Sequence, residues 1–109
     1  MWCENLGLEK WEEKYEDTEK YSYLHGFCHE FVKMEYQKND KCIAILEYRN
    51  DSLCLMHSCL KRNNSFIDIR GQTTNFQDII DAFDYGEYFV KEYESLNAFK
   101  KLLKQLKIE

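Results

Sequence analysis

The 109-residue chain contains no proline and only four glycines. Without breaker-rich stretches there is no linker, no low-complexity segment and no internal repeat, so one domain over residues 1–109 is expected. Long apolar runs are missing as well. The longest, Cys42-Ile43-Ala44-Ile45-Leu46, falls far short of the ~20 residues that cross a bilayer, and the charged amino end has no signal-peptide core. A cytoplasmic protein without a membrane partner is the expectation. Positive charge is also in deficit: the net charge is −5, and residues 1–20 carry seven acids against three lysines. Nucleic-acid binders displace counterions with clustered Lys and Arg, so direct DNA or RNA binding is not expected, and a basic protein partner suits the charge better. Finally, the five cysteines (Cys3, Cys28, Cys42, Cys54 and Cys59) are odd in number and lack a disulfide-framework spacing. Reduced thiols follow.

What the chain does hold is enough for one core, with 44% hydrophobic residues and 16% aromatics. It is too short to add a separate cofactor-binding domain, and no cofactor is expected. Leu8, Trp11 and Tyr15 recur at helical spacing among Glu12, Glu13 and Glu16, giving a first amphipathic helix that ends near Asp17. A second helix runs from Gly26 or Phe27 to about Lys38, with Phe27, Phe31 and Met34 in a stripe. Lys41 to Tyr48 reads as a buried strand, Arg49-Asn50-Asp51 as its turn, and Leu53 to Lys61 as the antiparallel return.

Period two in that return strand groups Leu53, Leu55, His57 and Cys59 on one face, and Cys54, Met56, Ser58 and Leu60 on the other. After a turn at Asn63-Asn64, Phe66, Asp68 and Arg70 share one face of a third strand, and Ile67 and Ile69 the opposite one. A tight turn there sets His57 diagonal to Asp68, and a register one residue earlier sets them directly opposite. Thr74-Asn75-Phe76-Gln77 fits a capping box for a helix through Ile79, Ile80 and Phe83, with Gly86 available to end it. Glu87 to Tyr93 is a fourth strand. Ser95 caps a last helix whose Leu96, Phe99, Leu103 and Leu106 face the core. The expected fold is α+β, with N-terminal helices packed on a small, mainly antiparallel sheet in the order α-α-β-β-β-α-β-α.

Chemistry concentrates in three residues: Cys28 within Leu24-His25-Gly26-Phe27-Cys28-His29-Glu30, then His57, then Asp68 within Phe66-Ile67-Asp68-Ile69-Arg70-Gly71. A thiol becomes a strong nucleophile when a base takes its proton or a positive field holds the thiolate, and the base needs an acid to fix its tautomer. A helix start supplies such a field, and flanking His25 and His29 add to it. On this reading Cys28 is the nucleophile, His57 the base and Asp68 the orienting acid. The backbone N–H of Cys28 would donate to an oxyanion.

The order of helix-borne Cys, strand-borne His and next-strand Asp resembles the papain-like core, in its transglutaminase-like and arylamine N-acetyltransferase branch. Gly26-Phe27-Cys28-His29-Glu30 is similar to the acetyltransferase pattern Gly-x-Cys-x-Glu, and Phe66-Ile67-Asp68-Ile69 to its aromatic-x-Asp-Val strand. The resemblance covers roughly residues 24–71 and implies a papain-like fold with Cys28, His57 and Asp68 in the catalytic roles. The His-Gly-x-Cys segment with a following Ile-Asp-x-Arg-Gly strand also resembles small proteins of phages and prophages. No room remains for an acetyltransferase's additional domain, so no coenzyme A site is implied.

The expected function is a small cysteine-dependent enzyme performing acyl transfer or amide hydrolysis on a protein or peptide substrate through a Cys28 thioester. Its competitor is a non-catalytic, acidic, phage-type inhibitor that binds a host defence nuclease as an anti-CRISPR protein does. Plain structural roles stand beside both: Cys42, Cys54 and Cys59 as small buried hydrophobes, His57 as a core histidine, Asp68 as an arginine partner of Arg70. A zinc site drawn from His25, Cys28, His29, His57 and Cys59 lacks any standard ligand spacing, so no metal is assigned. The acidic run Glu12 to Glu19 reads as a solvated face.

Overall fold

The computed structural model describes residues 28–81 and 86–108, together with the backbone of residues 2–3. The first helix expected from Leu8 to Asp17, the Gly26-Phe27 start of the second, and Phe83 lie outside the described residues.

Two hairpins organise the sheet. Strand β2 (Lys41–Arg49) and strand β3 (Ser52–Arg62) pair antiparallel with Arg49 opposite Ser52, which leaves Asn50 and Asp51 as a two-residue loop. Both loop residues have positive φ (52° and 64°), the requirement of a type I′ turn, and Asn and Asp are the non-glycine residues that tolerate it best. Strand β4 (Ser65–Asp68) then returns along β3 with Arg62 opposite Ser65, and Asn63 takes the left-handed position at φ 56°. That is the tight-turn register, which sets His57 diagonal to Asp68.

The third strand is shorter than the sequence suggests. It stops at Asp68, and residues 69–70 form another two-residue turn into strand β5 (Gly71–Thr73), with Asp68 opposite Gly71. Neither Ile69 nor Arg70 is a turn former. The bend is made by Asp68, whose Oδ1 accepts from the Arg70 backbone N–H two residues on at 2.8 Å. Gly71 follows at φ 137°, a conformation that side chains rarely adopt. The expected plan therefore lacked β5, and also strand β1 (Trp2–Cys3), which pairs with β5. With strand β6 (Tyr88–Tyr93) on β2, the sheet order is β1-β5-β4-β3-β2-β6, every neighbouring pair antiparallel.

Helices cover both faces. Helix α1 (Cys28–Glu35) and helix α3 (Leu96–Gln105) pack Phe31, Val32, Phe99, Leu102 and Leu103 against Cys42, Ala44, Leu46, Leu60, Ile67 and Ile69. On the opposite face Ile79 and Ile80 of helix α2 (Phe76–Asp81) meet Ile43, Ile45 and Cys59. Ser95 caps α3 as expected, its Oγ accepting from Ala98 N at 3.2 Å. The α2 cap is Asn75 rather than Thr74, since Asn75 Oδ1 accepts from Gln77 N at 3.1 Å. Helix α1 ends at Glu35, three residues before Lys38. There Arg62 grips buried Asp40 through two bonds (3.0 and 2.8 Å) and also donates to the Glu35 carbonyl, while Asp40 accepts from Gln37 N at 2.9 Å. This clamp diverts the chain into β2. No helix among the described residues is long and apolar enough to cross a membrane.

Candidate active site

A β-bulge places the histidine. Ile45 faces His57 but its neighbour Leu46 faces Leu55, so Met56 is an extra residue on β3. The strict alternation expected along this strand is therefore broken. Cys59 and Met56 pack with Ile43 and Ile45 on the α2 face, whereas Leu53, Leu55 and Leu60 join the cluster under α1 and α3. The expected groupings of Leu53 and Leu55 with Cys59, and of Met56 with Leu60, are both corrected. The bulge inserts one residue, and each residue beyond it changes side.

His57 is fully buried. Its Nε2 lies 3.0 Å from Asp68 Oδ2, so the ring is oriented through Nε2 and the buried Nδ1 makes no hydrogen bond among the described residues. Asp68 is itself held from three directions. It accepts from the Arg70 backbone N at 2.8 Å, from Arg70 Nε at 3.2 and 3.0 Å, and from the Arg70 Nη2. Burial alone would raise the Asp68 pKa, but His57 and Arg70 together hold it below the usual carboxylate value. The carboxylate therefore stays charged, and the arginine pins it in the orientation that meets the imidazole. The alternative in which Asp68 serves Arg70 instead of His57 does not arise, because it binds both.

Cys28, in the first described turn of α1, is buried at 4% exposure. Burial pushes its thiol up. The polar groups of His29, His57 and Ser58 around it and the charge of His57 outweigh that and bring it from 9.0 down to about 6. His57 moves the opposite way: burial lowers it, yet Asp68 and the Cys28 sulfur raise it from 6.5 to about 9. The two opposite shifts both favour a thiolate beside an imidazolium. The three residues picked out in the sequence thus converge.

The other cysteines behave differently. All four described cysteine side chains are free thiols. Burial raises Cys42 to about 12 and lifts Cys59 well above its ordinary value, so both remain protonated, packed hydrophobes. Among the described residues no group of three or more His, Cys, Asp and Glu side chains is placed to hold a metal ion, and His25 lies outside them.

Three contributors were not legible as such. From the sequence Ser58 is only a strand residue, Arg70 only a rival for Asp68, and Arg49 only part of a turn. Ser58 is buried at 1% exposure, its Oγ makes no hydrogen bond among the described residues, and it stands near enough to Cys28 to help lower that thiol. Its one signal in the sequence is adjacency to His57. Arg49 opens onto a cleft of about 370 Å³ that Cys28, His29, Cys54, Met56 and Ile108 also line, so the buried Cys28 borders an opening to solvent. No protein-family model, curated protein or solved structure matches this chain.

Proposed function

We propose that this protein is a cysteine-dependent acyl-transfer or amide-hydrolysing enzyme with Cys28 as nucleophile, His57 as acid and base, and Asp68 as the group that orients His57. The papain-like core and the phage-type membership remain part of this proposal, supported by the order of the three residues along the chain. The observation that carries it is the buried His57–Asp68 contact of 3.0 Å beside a cysteine whose pKa is lowered to about 6 and which borders a cleft. Structural cysteines in apolar surroundings shift in the opposite direction, as Cys42 and Cys59 do.

The chemistry follows from the charges. The Cys28 thiolate attacks a carbonyl carbon, the C–S bond forms, and the carbonyl electron pair moves to oxygen, where the Cys28 backbone N–H is the proposed donor. As the tetrahedral species collapses, the C–N bond breaks and the leaving nitrogen takes the proton of the His57 imidazolium. Neutral His57 then removes a proton from water or from an acceptor amine, which attacks the thioester and regenerates the thiolate. Asp68 stabilises the imidazolium in both halves.

Activity-based labelling tests this reading. A peptidyl electrophile or an activated thioester should acylate wild-type protein at Cys28, and intact-mass analysis should show one adduct that hydroxylamine removes. Cys28→Ser should form none. An equal adduct on Cys28→Ser would end the proposal.

One observation favours the competing inhibitor reading. Edge strand β6 exposes Tyr88, Phe89 and Val90 at 41%, 40% and 43%, with Tyr48 beside it at 65%. An apolar sheet edge suits protein contact. Under that reading Cys28→Ser is silent in any biological assay, while charges placed at Phe89 and Tyr48 abolish the effect.

A further inference from the structure

Ile108 is a shared wall of two clefts, one of them the Cys28 cleft. The second, of about 310 Å³, is also lined by Lys33, Lys100, Leu103 and Lys104. Helix α1 walls both, with Cys28 and His29 in the first and Lys33 in the second. Five residues separate Cys28 from Lys33, which is about 7–8 Å along a helix axis. An extended peptide covers that distance in about two to three residues.

Charge selects the occupant. Across the whole protein acids outnumber bases by 20 to 15, yet apart from the Cys28 thiol itself every charged side chain among the described residues lining the two clefts, namely Arg49, Lys33, Lys100 and Lys104, is cationic. Two of these are already matched, Lys33 by Glu30 at 3.0 Å and Arg49 through its Nε by Glu47 at 3.1 Å. Arg49 keeps its terminal nitrogens, and Lys100 and Lys104 have no ion pair among the described residues. Leu55, Met56, Leu103 and Ile108 also line the two clefts, apolar surface that fits aliphatic side chains rather than stacked bases.

We infer that the substrate of Cys28 is an acidic peptide segment: its reacting carbonyl lies over the sulfur, and carboxylates two to four residues away lie against Lys33, Lys100 and Lys104. This rests on the reading of Cys28 as nucleophile. It adds the specificity that the three core residues do not encode, since electrostatic complementarity chooses among peptides that the thiolate alone would attack equally.

The test uses peptides that carry one electrophilic carbonyl, with Glu, Gln or Lys placed two to four residues to either side. Second-order rates of Cys28 adduct formation are read by mass spectrometry. The Glu peptides should react roughly tenfold faster than the Lys peptides at low salt, an advantage that shrinks as salt rises. Lys100→Glu/Lys104→Glu should reverse the order. Equal rates for Glu and Lys peptides, on protein whose Cys28 still reacts selectively with iodoacetamide, would overturn the inference and leave the nucleophile standing. Fluorescence anisotropy on Cys28→Ser reads the groove without any chemistry: a labelled Glu peptide should bind more tightly than its Lys counterpart, and equal binding would also overturn it.

Discussion

His57 Nε2 and Asp68 Oδ2 meet at 3.0 Å beyond the end of the ladder that joins their strands. Backbone pairing of β3 with β4 covers only Leu60–Arg62 against Ser65–Ile67, so neither residue has a ladder partner across that pair. Their contact is made by side chains alone. It is held on one side by the β2–β3 bulge that re-aims His57, and on the other by the Asp68 turn that captures Arg70.

Selective alkylation should follow from the depressed thiol. Iodoacetamide should modify Cys28 with a midpoint near pH 6, well before Cys42, held at about 12, and Cys59, held higher than usual by burial. His57→Ala removes one hydrogen bond and one charge, so the midpoint should rise and the rate at pH 7 should fall about tenfold or more. Peptide mapping across a pH series checks both. Uniform modification of all the thiols in folded protein would contradict the site.

Stability should be nearly independent of pH across neutrality, for a reason that Cys28→Ser exposes. Cys28 is depressed to about 6, so by itself it adds stability that is present above 9.0 and lost as pH falls through 6. His57 is raised to about 9, so it adds stability that is full below 6.5 and lost as pH rises through 9. Between 6.5 and 9 the folded thiolate and imidazolium hold one proton, and the unfolded thiol and imidazole also hold one. The two slopes cancel. In Cys28→Ser only the histidine term remains, and stability should fall with rising pH by up to about 1.4 kcal/mol per unit. Urea unfolding from pH 6.5 to 9 measures this, and a flat profile for the variant would mean a neutral His57 in the fold.

Asp68 should separate structure from electrostatics. Asp68→Ala strands a buried imidazole and the Arg70 fork, with an expected loss of about 3–5 kcal/mol. Asp68→Asn keeps an acceptor for His57 without the charge. Its His57 pKa should drop below about 9, and the Cys28 alkylation midpoint should climb above about 6. An unmoved midpoint would reduce Asp68 to a packing role. Because its own pKa is depressed in the fold, the Asp68 contribution is present above the ordinary carboxylate value of ~3.9 and is lost as pH falls through the lower folded value.

Ser58 should show opposite effects on stability and on reactivity. Removing a buried hydroxyl that lacks a protein partner relieves a desolvation penalty, so Ser58→Ala should leave urea stability unchanged or up to about 1 kcal/mol higher. The same change removes a hydroxyl that stands near the thiol and helps to lower it, so it should raise the Cys28 alkylation midpoint. Ser58→Thr keeps the hydroxyl and should restore it. A loss of stability with no change of midpoint would make Ser58 a packing residue.

Much of this arrangement was legible in local patterns. The apolar run of β2, the turn after it (read as Arg49-Asn50-Asp51, with Arg49 in fact the last strand residue), the Asn63-Asn64 turn, the Ser95 cap and the stripe of α3 each depend on neighbours within a few positions, where hydrophobic period and turn chemistry act directly. The same holds for the choice of Cys28, His57 and Asp68, whose residue types and order suffice to suggest a mechanism. Three things were not legible. The bulge at Met56 depends on a mismatch with β2, a strand whose own sequence gives no sign of it. The Asp68 turn uses a side chain where turn-forming residues would ordinarily stand. The cap of α2 fell to Asn75, one of two neighbouring candidates, and the choice was made by how the chain leaves β5.

The amino-acid sequence by itself determined four of the strands, the described helices and the choice of Cys28, His57 and Asp68 as the candidate site, because these follow from residue types and from interactions between residues close in the chain. The tertiary structure alone decided that Cys28 is the acidic thiol among four described cysteines, since a pKa depends on which groups surround a buried atom and His29, His57 and Ser58 surround only this one. It also decided the partners of the charges. Asp68 faces His57 and Arg70 together, and Lys33, Lys100 and Lys104 come to one cleft from two helices far apart in sequence. Electrostatic energy falls with distance in space and is indifferent to distance along the chain, so those relationships exist only once the sheet and its helices have closed.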